Sequence, residues 1–268
     1  SIKLIPFLFI AYLIMEYIEH KTSNKIRETI KKSGRFGPLF GAVVGIFPQC
    51  GFSVSATNLY AARVISLGTL ISVYLATSDE MLPILLTESV PIATILTILG
   101  IKLFLGIVAG FIIDFVASVI KKEEEEKIEE LCEHEHCHCD EGIFSSALKH
   151  TVNIAVFIFV ITLILNGIIS FVGEDTIAHF ISKNVILGPI IAGLIGLIPN
   201  CASSVILTEL FIEKVISMPI LISGVAVNAG VGLLVLFKTN KNVKENISIV
   251  GMLYGIGVIA GIILELFL

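Results

Sequence analysis

Long apolar runs broken by short polar stretches set the pattern of this chain: residues 4–18, 68–77, 81–120, 151–172, 186–199, 218–237 and 247–268. Several are long enough to carry a helix across a hydrocarbon core of about 30 Å. Residues 4–18 read as a spanning helix rather than a signal peptide, because no small-residue cleavage site follows them. Composition agrees: mean hydropathy is +0.96, with 55% hydrophobic and 15% charged residues, which is outside the range of soluble domains. The expected fold class is all-α, a polytopic membrane protein.

The pattern also occurs twice. Residues 37–66, GPLFGAVVGIFPQCGFSVSATNLYAARVIS, return 151 positions later as 188–217, GPIIAGLIGLIPNCASSVILTELFIEKVIS, with no gap. Over 37–85 there are 17 identities in 49 positions, and the register persists through Gly100/Gly251, Gly106/Gly257 and Gly110/Gly261. Shared Ile/Leu bias does not produce Gly, Pro, Cys, Ser and Thr matches in one frame. The chain is therefore expected to hold two repeats of about five helical segments each: 1–116 and 150–268, joined by a linker at 117–149.

Charge fixes the expected orientation. A basic segment, with Lys21, Lys25, Arg27, Lys31, Lys32 and Arg35, follows the first span and should face the cytoplasm. Each repeat reads as one span, a pair of short apolar segments that returns to its starting side, a span broken at its middle, and a final long span. That is an odd number of crossings, so the repeats should have inverted topology. Lys121, Lys122, Lys127, Lys149, Lys238, Lys241 and Lys244 then fall inside, and only Lys3, Lys183 and Lys214 outside. The net charge of −5 comes from the linker and does not suggest a nucleic-acid partner. The expected setting is a prokaryotic plasma membrane, with the linker cytoplasmic.

Polar groups interrupt the apolar pattern at four places within the repeats. Pro48 and Pro199 break the short segment pairs, making re-entrant-like hairpins whose freed backbone groups need protein or water. At these breaks stand Gln49, Cys50, Asn200 and Cys201, followed by helix faces carrying Ser53, Thr57 and Asn58, or Ser204, Thr208 and Glu209. The bland alternative is a proline kink with a cysteine packed as a small hydrophobe. The other two places are Thr77-Ser78-Asp79-Glu80 and its partner Asn228-Ala229-Gly230-Val231, both read as helices unwound near mid-membrane. Carboxylates there are costly and mark function by default; the alternative is a short loop in water. Lys102 lies inside the run 92–120, where Leu253 replaces it in the second repeat. Its expected partner is an intramembrane acid such as Glu80 or Glu209, with a role in coupling beside Asp79 and Glu80; the alternative is a counter-charge for an anionic substrate.

The linker carries a different chemistry. Cys132, His134, His136, Cys137, His138 and Cys139 fall within eight residues of an acidic tract. These ligand types suit Zn²⁺ or a similar ion, while their crowding suits a flexible chelating tract better than a zinc finger. The five cysteines are read as thiols, since no secreted-type framework is present. No H-E-x-x-H or protease motif occurs, so an enzyme is not expected, and no resident cofactor is implied. Gly-xxx-Gly patterns at Gly106–Gly110, Gly251–Gly255 and Gly257–Gly261 can pack helices within a chain or between copies, so a homo-oligomer stays open.

The motifs FPQCGFS (47–53), TSDEMLPIL (77–85), IPNCASS (198–204) and VNAGVGLLVLF (227–237) resemble those of a family of ten-segment heavy-metal exporter permeases of bacteria and archaea. Its members are described as arsenic efflux or manganese transport proteins. The resemblance implies export, with Gln49, Cys50, Ser53, Ser78, Asp79, Glu80, Asn200, Cys201, Ser204 and Asn228 as the translocation site. The leading expectation is a proton-coupled secondary exporter of a divalent ion such as Mn²⁺ or Zn²⁺. The alternatives are an efflux permease for arsenite, another oxyanion or an organo-arsenical, and a membrane metal sensor built on the linker.

Overall fold

The computed structural model describes residues 36–47, 50–78, 80–120 and 186–267, with positions 152, 156, 159, 160 and 163. The first expected span, the basic segment, the Cys/His tract, Pro48, Gln49 and Asp79 lie outside the described residues. Among those described, the chain is all-helical and without strands. Its first series is α1 (Gly37–Gly45), α2 (Cys50–Ala61), α3 (Leu67–Ala76), α4 (Met81–Thr87) and α5 (Ile92–Ile120). A second follows: α6 (Leu187–Gly196), α7 (Cys201–Ile212), α8 (Met218–Val227), α9 (Gly232–Thr239) and α10 (Val243–Phe267).

The two series share local architecture as well as order. Adding 151 to the bounds of α2 and α3 gives those of α7 and α8. Ser66 and Ser217 cap α3 and α8, accepting from Thr69 N at 3.1 Å and Ile220 N at 3.4 Å. Each cap hydroxyl also donates to an acid near the end of the long helix, Asp114 or Glu265, at 2.7 Å. Ser72 and Ser223 donate to the carbonyls of Pro38 and Pro189, at 2.5 and 2.8 Å. Asp114 does more than its place near a helix end suggests, because Gly68 N also donates to it at 2.8 Å. A carboxylate at a helix N-terminus is favoured by the dipole and by the orphan N–H groups. Asp114→Ala is therefore expected to cost about 1–2 kcal/mol, read as an earlier thermal transition in detergent.

Packing places the broken helices inside and the long helices outside. α3 lies against α1 and α5, and α8 against α6 and α10. α2 packs on α9, α7 packs on α4, and α3 meets α8 between them. Both apolar cores consequently mix the two series: Tyr60, Leu70 and Tyr74 with Leu233, Leu236 and Ile249, and Met81, Leu85 and Ile98 with Leu207, Leu210 and Leu221.

Among the described residues, four stretches are long and apolar enough to cross a membrane: Leu67–Thr87, Ile92–Val119, Met218–Thr239 and Val243–Phe267. The first and third contain the α3–α4 and α8–α9 breaks. Along α5 and α10 large apolar side chains face outward, including Phe104 at 69% and Phe115 at 70% exposure. A soluble surface does not carry an apolar band of this kind; lipid solvates it.

Close helix approach depends on absent side chains. A Cβ on Gly196 would stand 2.2 Å from the Gly224 carbonyl, and one on Gly45 would stand 2.6 Å from that of Val73. The Gly-xxx-Gly pairs divide by role. Gly106 and Gly110 press on Ser72 and Gly68, and Gly257 and Gly261 on Val227 and Ser223, all within the chain. Among the described residues, Gly251 and Gly255 have nothing within 4 Å of a Cβ.

Candidate functional site

α3 ends at Ala76 because Thr77 turns extended, with φ −53° and ψ 125°, and α4 begins only at Met81. α8 ends where Asn228 turns likewise (φ −74°, ψ 99°), and Gly230 takes the left-handed conformation at φ 56° that favours glycine. The second break lies inside protein and the first begins there: Thr77, Ser78, Asn228 and Ala229 are all buried, while Glu80 is exposed. This is where non-helical backbone is tolerated at membrane depth.

Each break is held by polar groups. Asn228 braces its own turn, accepting from Gly230 N at 2.7 Å and donating to Ser203 Oγ at 3.1 Å. Ser203 in turn donates to Asn200 O at 2.8 Å, and Asn200 caps α7 by accepting from Ala202 N at 3.4 Å. The start of α9 is held from the other series. Thr57 and Tyr74 lie 2.6 Å apart through their hydroxyls, and both reach Gly232 O at 3.3 Å. Thr57 also reaches Ser53 O at 2.6 Å. Only two hydroxyl protons serve these four contacts, so the arrangement can reshuffle with little cost.

Lys102 links the two broken helices. It is fully buried, and its ammonium donates to Thr77 O, at the end of α3, and to Val225 O in α8, the latter at 2.8 Å. Helix C-terminal carbonyls suit a cation. Among the described residues Lys102 is the only charged side chain in the buried set, and its sign is positive.

The other expected site residues fall as follows. Ser53, Ser204 and Asn200 are buried along α2 and at the start of α7, with Ser53 close beside Gly232. Cys50 and Cys201 are the first residues of α2 and α7; their side chains lie outside the description, as do Gln49 and Asp79. Glu80 is at the start of α4 with its side chain exposed, and Glu209 is also exposed. The linker residues Cys132 to Cys139 lie outside the described residues. Among those described, no three His, Cys, Asp or Glu side chains gather to hold a metal. A cavity of about 190 Å³ lined by Leu197, Pro199, Leu233, Leu234, Phe237, Ile247 and Val250 is wholly apolar and unsuited to an ion.

Tyr74 was hidden in the sequence because it sits among apolar residues in a core helix. A signal exists, though: the equivalent position in the second series is Val225, so a hydroxyl is present in one series only.

No curated protein and no solved structure matches the chain. A family described as "Putative, 10TM heavy-metal exporter" matches residues 2–153, which is 152 of 268. That match takes in the first break, Lys102 and the Cys/His tract, and covers more than half of the sequence: the chain belongs to this heavy-metal exporter family.

Proposed function

We propose that the chain is a secondary transporter that exports a divalent transition-metal ion from the cytoplasm of a prokaryote. Two inverted repeats, 1–116 and 150–268, rock against each other about a site at their junction, and 117–149 is a cytoplasmic chelating linker. One observation supports this above the rest: two buried helix breaks, one per series, bridged by the ammonium of Lys102. The cargo is held by the Cys50 and Cys201 thiolates, Gln49, Asn200, Ser53, Ser204 and Ser78, the Asp79 and Glu80 carboxylates, and Asn228. Thiolates draw the site toward Zn²⁺ and carboxylates and amides toward Mn²⁺. Asp79 or Glu80 alternates between proton and metal, giving proton coupling, and Lys102 keeps the two breaks in register. A second reading, export of arsenite or another oxyanion, is favoured by the positive sign of that buried charge. A sensor built on the linker is the reading from another class.

The test is uptake into inside-out proteoliposomes offered Mn²⁺, Zn²⁺, Co²⁺, Cd²⁺, Fe²⁺ and arsenite in turn. We expect one cation to accumulate. Cys50→Ala and Asp79→Asn should each cut its initial rate at least about tenfold, equivalent to 1.4 kcal/mol of lost binding or barrier. Removing all six linker Cys and His should weaken uptake only about threefold, a loss of local metal concentration rather than of the path. Arsenite uptake without cation uptake moves the oxyanion reading to the front. No uptake of any species leaves the sensor.

A further inference from the structure

Away from the breaks, opposite charges meet across the two series between described residues. Arg63, in the turn after α2, grips Glu245 in the first turn of α10 through two parallel bonds, Nη1 to Oε1 at 2.6 Å and Nη2 to Oε2 at 2.9 Å. This is the fork-on-carboxylate geometry that gives an ion pair direction as well as attraction. The Tyr60 hydroxyl donates to the same Oε1, and the guanidinium lies 5.3 Å from the centre of the Tyr60 ring. The turn before α10 is stiffened by Asn240 and Asn246, each donating to the other residue at 2.8 Å, so Glu245 stands on a fixed support.

The second series repeats the backbone and keeps a cation but omits the acid. Lys214, equivalent to Arg63, has the same left-handed turn, at φ 60° against 58°. Thr94 stands where Glu245 does, and Phe211 replaces Tyr60. Thr94 carries no charge, so the matching contact between α7 and α5 cannot form an ion pair. The device is therefore one-sided, on the face that carries Lys238, Lys241 and Lys244.

We propose that Arg63 and Glu245 form a latch that holds the two halves together on the cytoplasmic face and parts when that face opens. This rests on the alternating-access reading above. An apolar contact such as α2 on α9 can slide and remain buried. A bidentate ion pair with a tyrosine as third partner is either made or broken, which suits a contact that divides two states. Arg63 retains 43% side-chain exposure and Glu245 20%, so the bias is modest: about fivefold, at the upper end for a partly exposed pair.

The experiment measures opening without reference to cargo. In inside-out vesicles, a membrane-impermeant maleimide reaches the cytoplasmic face, and its rate of reaction at position 78 is followed by peptide mass spectrometry in a Ser78→Cys background. We expect Arg63→Gln and Glu245→Gln each to raise that rate about fivefold. The exchanged pair, Arg63→Glu with Glu245→Arg, should return it to the starting value, a rescue that a fold merely loosened by substitution does not give. The latch is overturned if single and exchanged variants react at the same rate, or if neither single variant changes it. Faster reaction in the singles together with no flux in the parent protein would uphold the latch and sink the export reading instead.

Discussion

Gly196→Ala is expected to destabilise the protein by about 3 kcal/mol or more, while Gly251→Ala should stay within about 0.5 kcal/mol of the parent. The chemistry of the two substitutions is the same; the surroundings decide. A methyl on Gly196 would enter the Gly224 carbonyl at 2.2 Å and approach the carbonyl carbon at 3.1 Å. Backbone cannot rotate aside as a flexible side chain can, so α6 and α8 must move apart and every contact along their seam loosens. Gly224 is itself pinned, because its own Cβ position lies 2.9 Å from Ala192 O. At Gly251 a methyl would meet nothing within 4 Å among the described residues, and alanine is the better helix former. Thermal unfolding in detergent checks both. Equal shifts would mean that the α6–α8 seam is looser than the structure has it.

That contrast marks how far the sequence reaches. The breaks are local, and the sequence pointed to them: prolines at 48 and 199 mark one pair, polar and glycine-rich stretches mark the other, and the 151-residue period assigns each a partner. The caps at Ser66 and Ser217 became visible only in the structure. Gly106 and Gly251 look alike in sequence, both beginning a Gly-xxx-Gly pattern. Only the packing reveals that one faces Ser72 and the other faces outward. The contacts that join the two series were less legible still. The expected partner of Lys102 was an acid such as Glu80 or Glu209; the structure adds two backbone carbonyls, which carry no sequence signature because every residue has one. Arg63 and Glu245 stand 182 positions apart and belong to no motif.

Where the two series differ, polar side chains reach from one to the other. Tyr74 against Val225 and Lys102 against Leu253 each place a polar group in one series where the other has none, and Glu245 against Thr94 places a charge where the other has only a hydroxyl. All three make contacts that cross between the series. Identity keeps the scaffold; divergence supplies the unequal fittings that a transporter needs if its two faces are to behave differently.

Lys102→Met should lower transport about a hundredfold while leaving the fold in place. Methionine follows lysine as far as Cε, one atom short of the ammonium, and fills nearly the same buried volume, so packing changes little. What disappears is the bridge between the ends of α3 and α8. Two carbonyls lose a donor in a setting without water, at about 1–3 kcal/mol each. Against that, a buried ammonium no longer has to be desolvated, a relief of several kcal/mol. The two effects oppose, and the thermal transition should move little. Transport has no such compensation. The spacing of Ser78 and Asn228 across the junction would no longer be fixed, and a binding constellation tolerates only about 0.5 Å of play. Lys102→Arg separates geometry from charge. It keeps the positive charge but brings a broad planar fork into a site with no exposure. We expect it to recover less than about a tenth of the parent rate. Near-full activity in Lys102→Arg would mean that the charge alone matters there, as it would beside an anionic cargo.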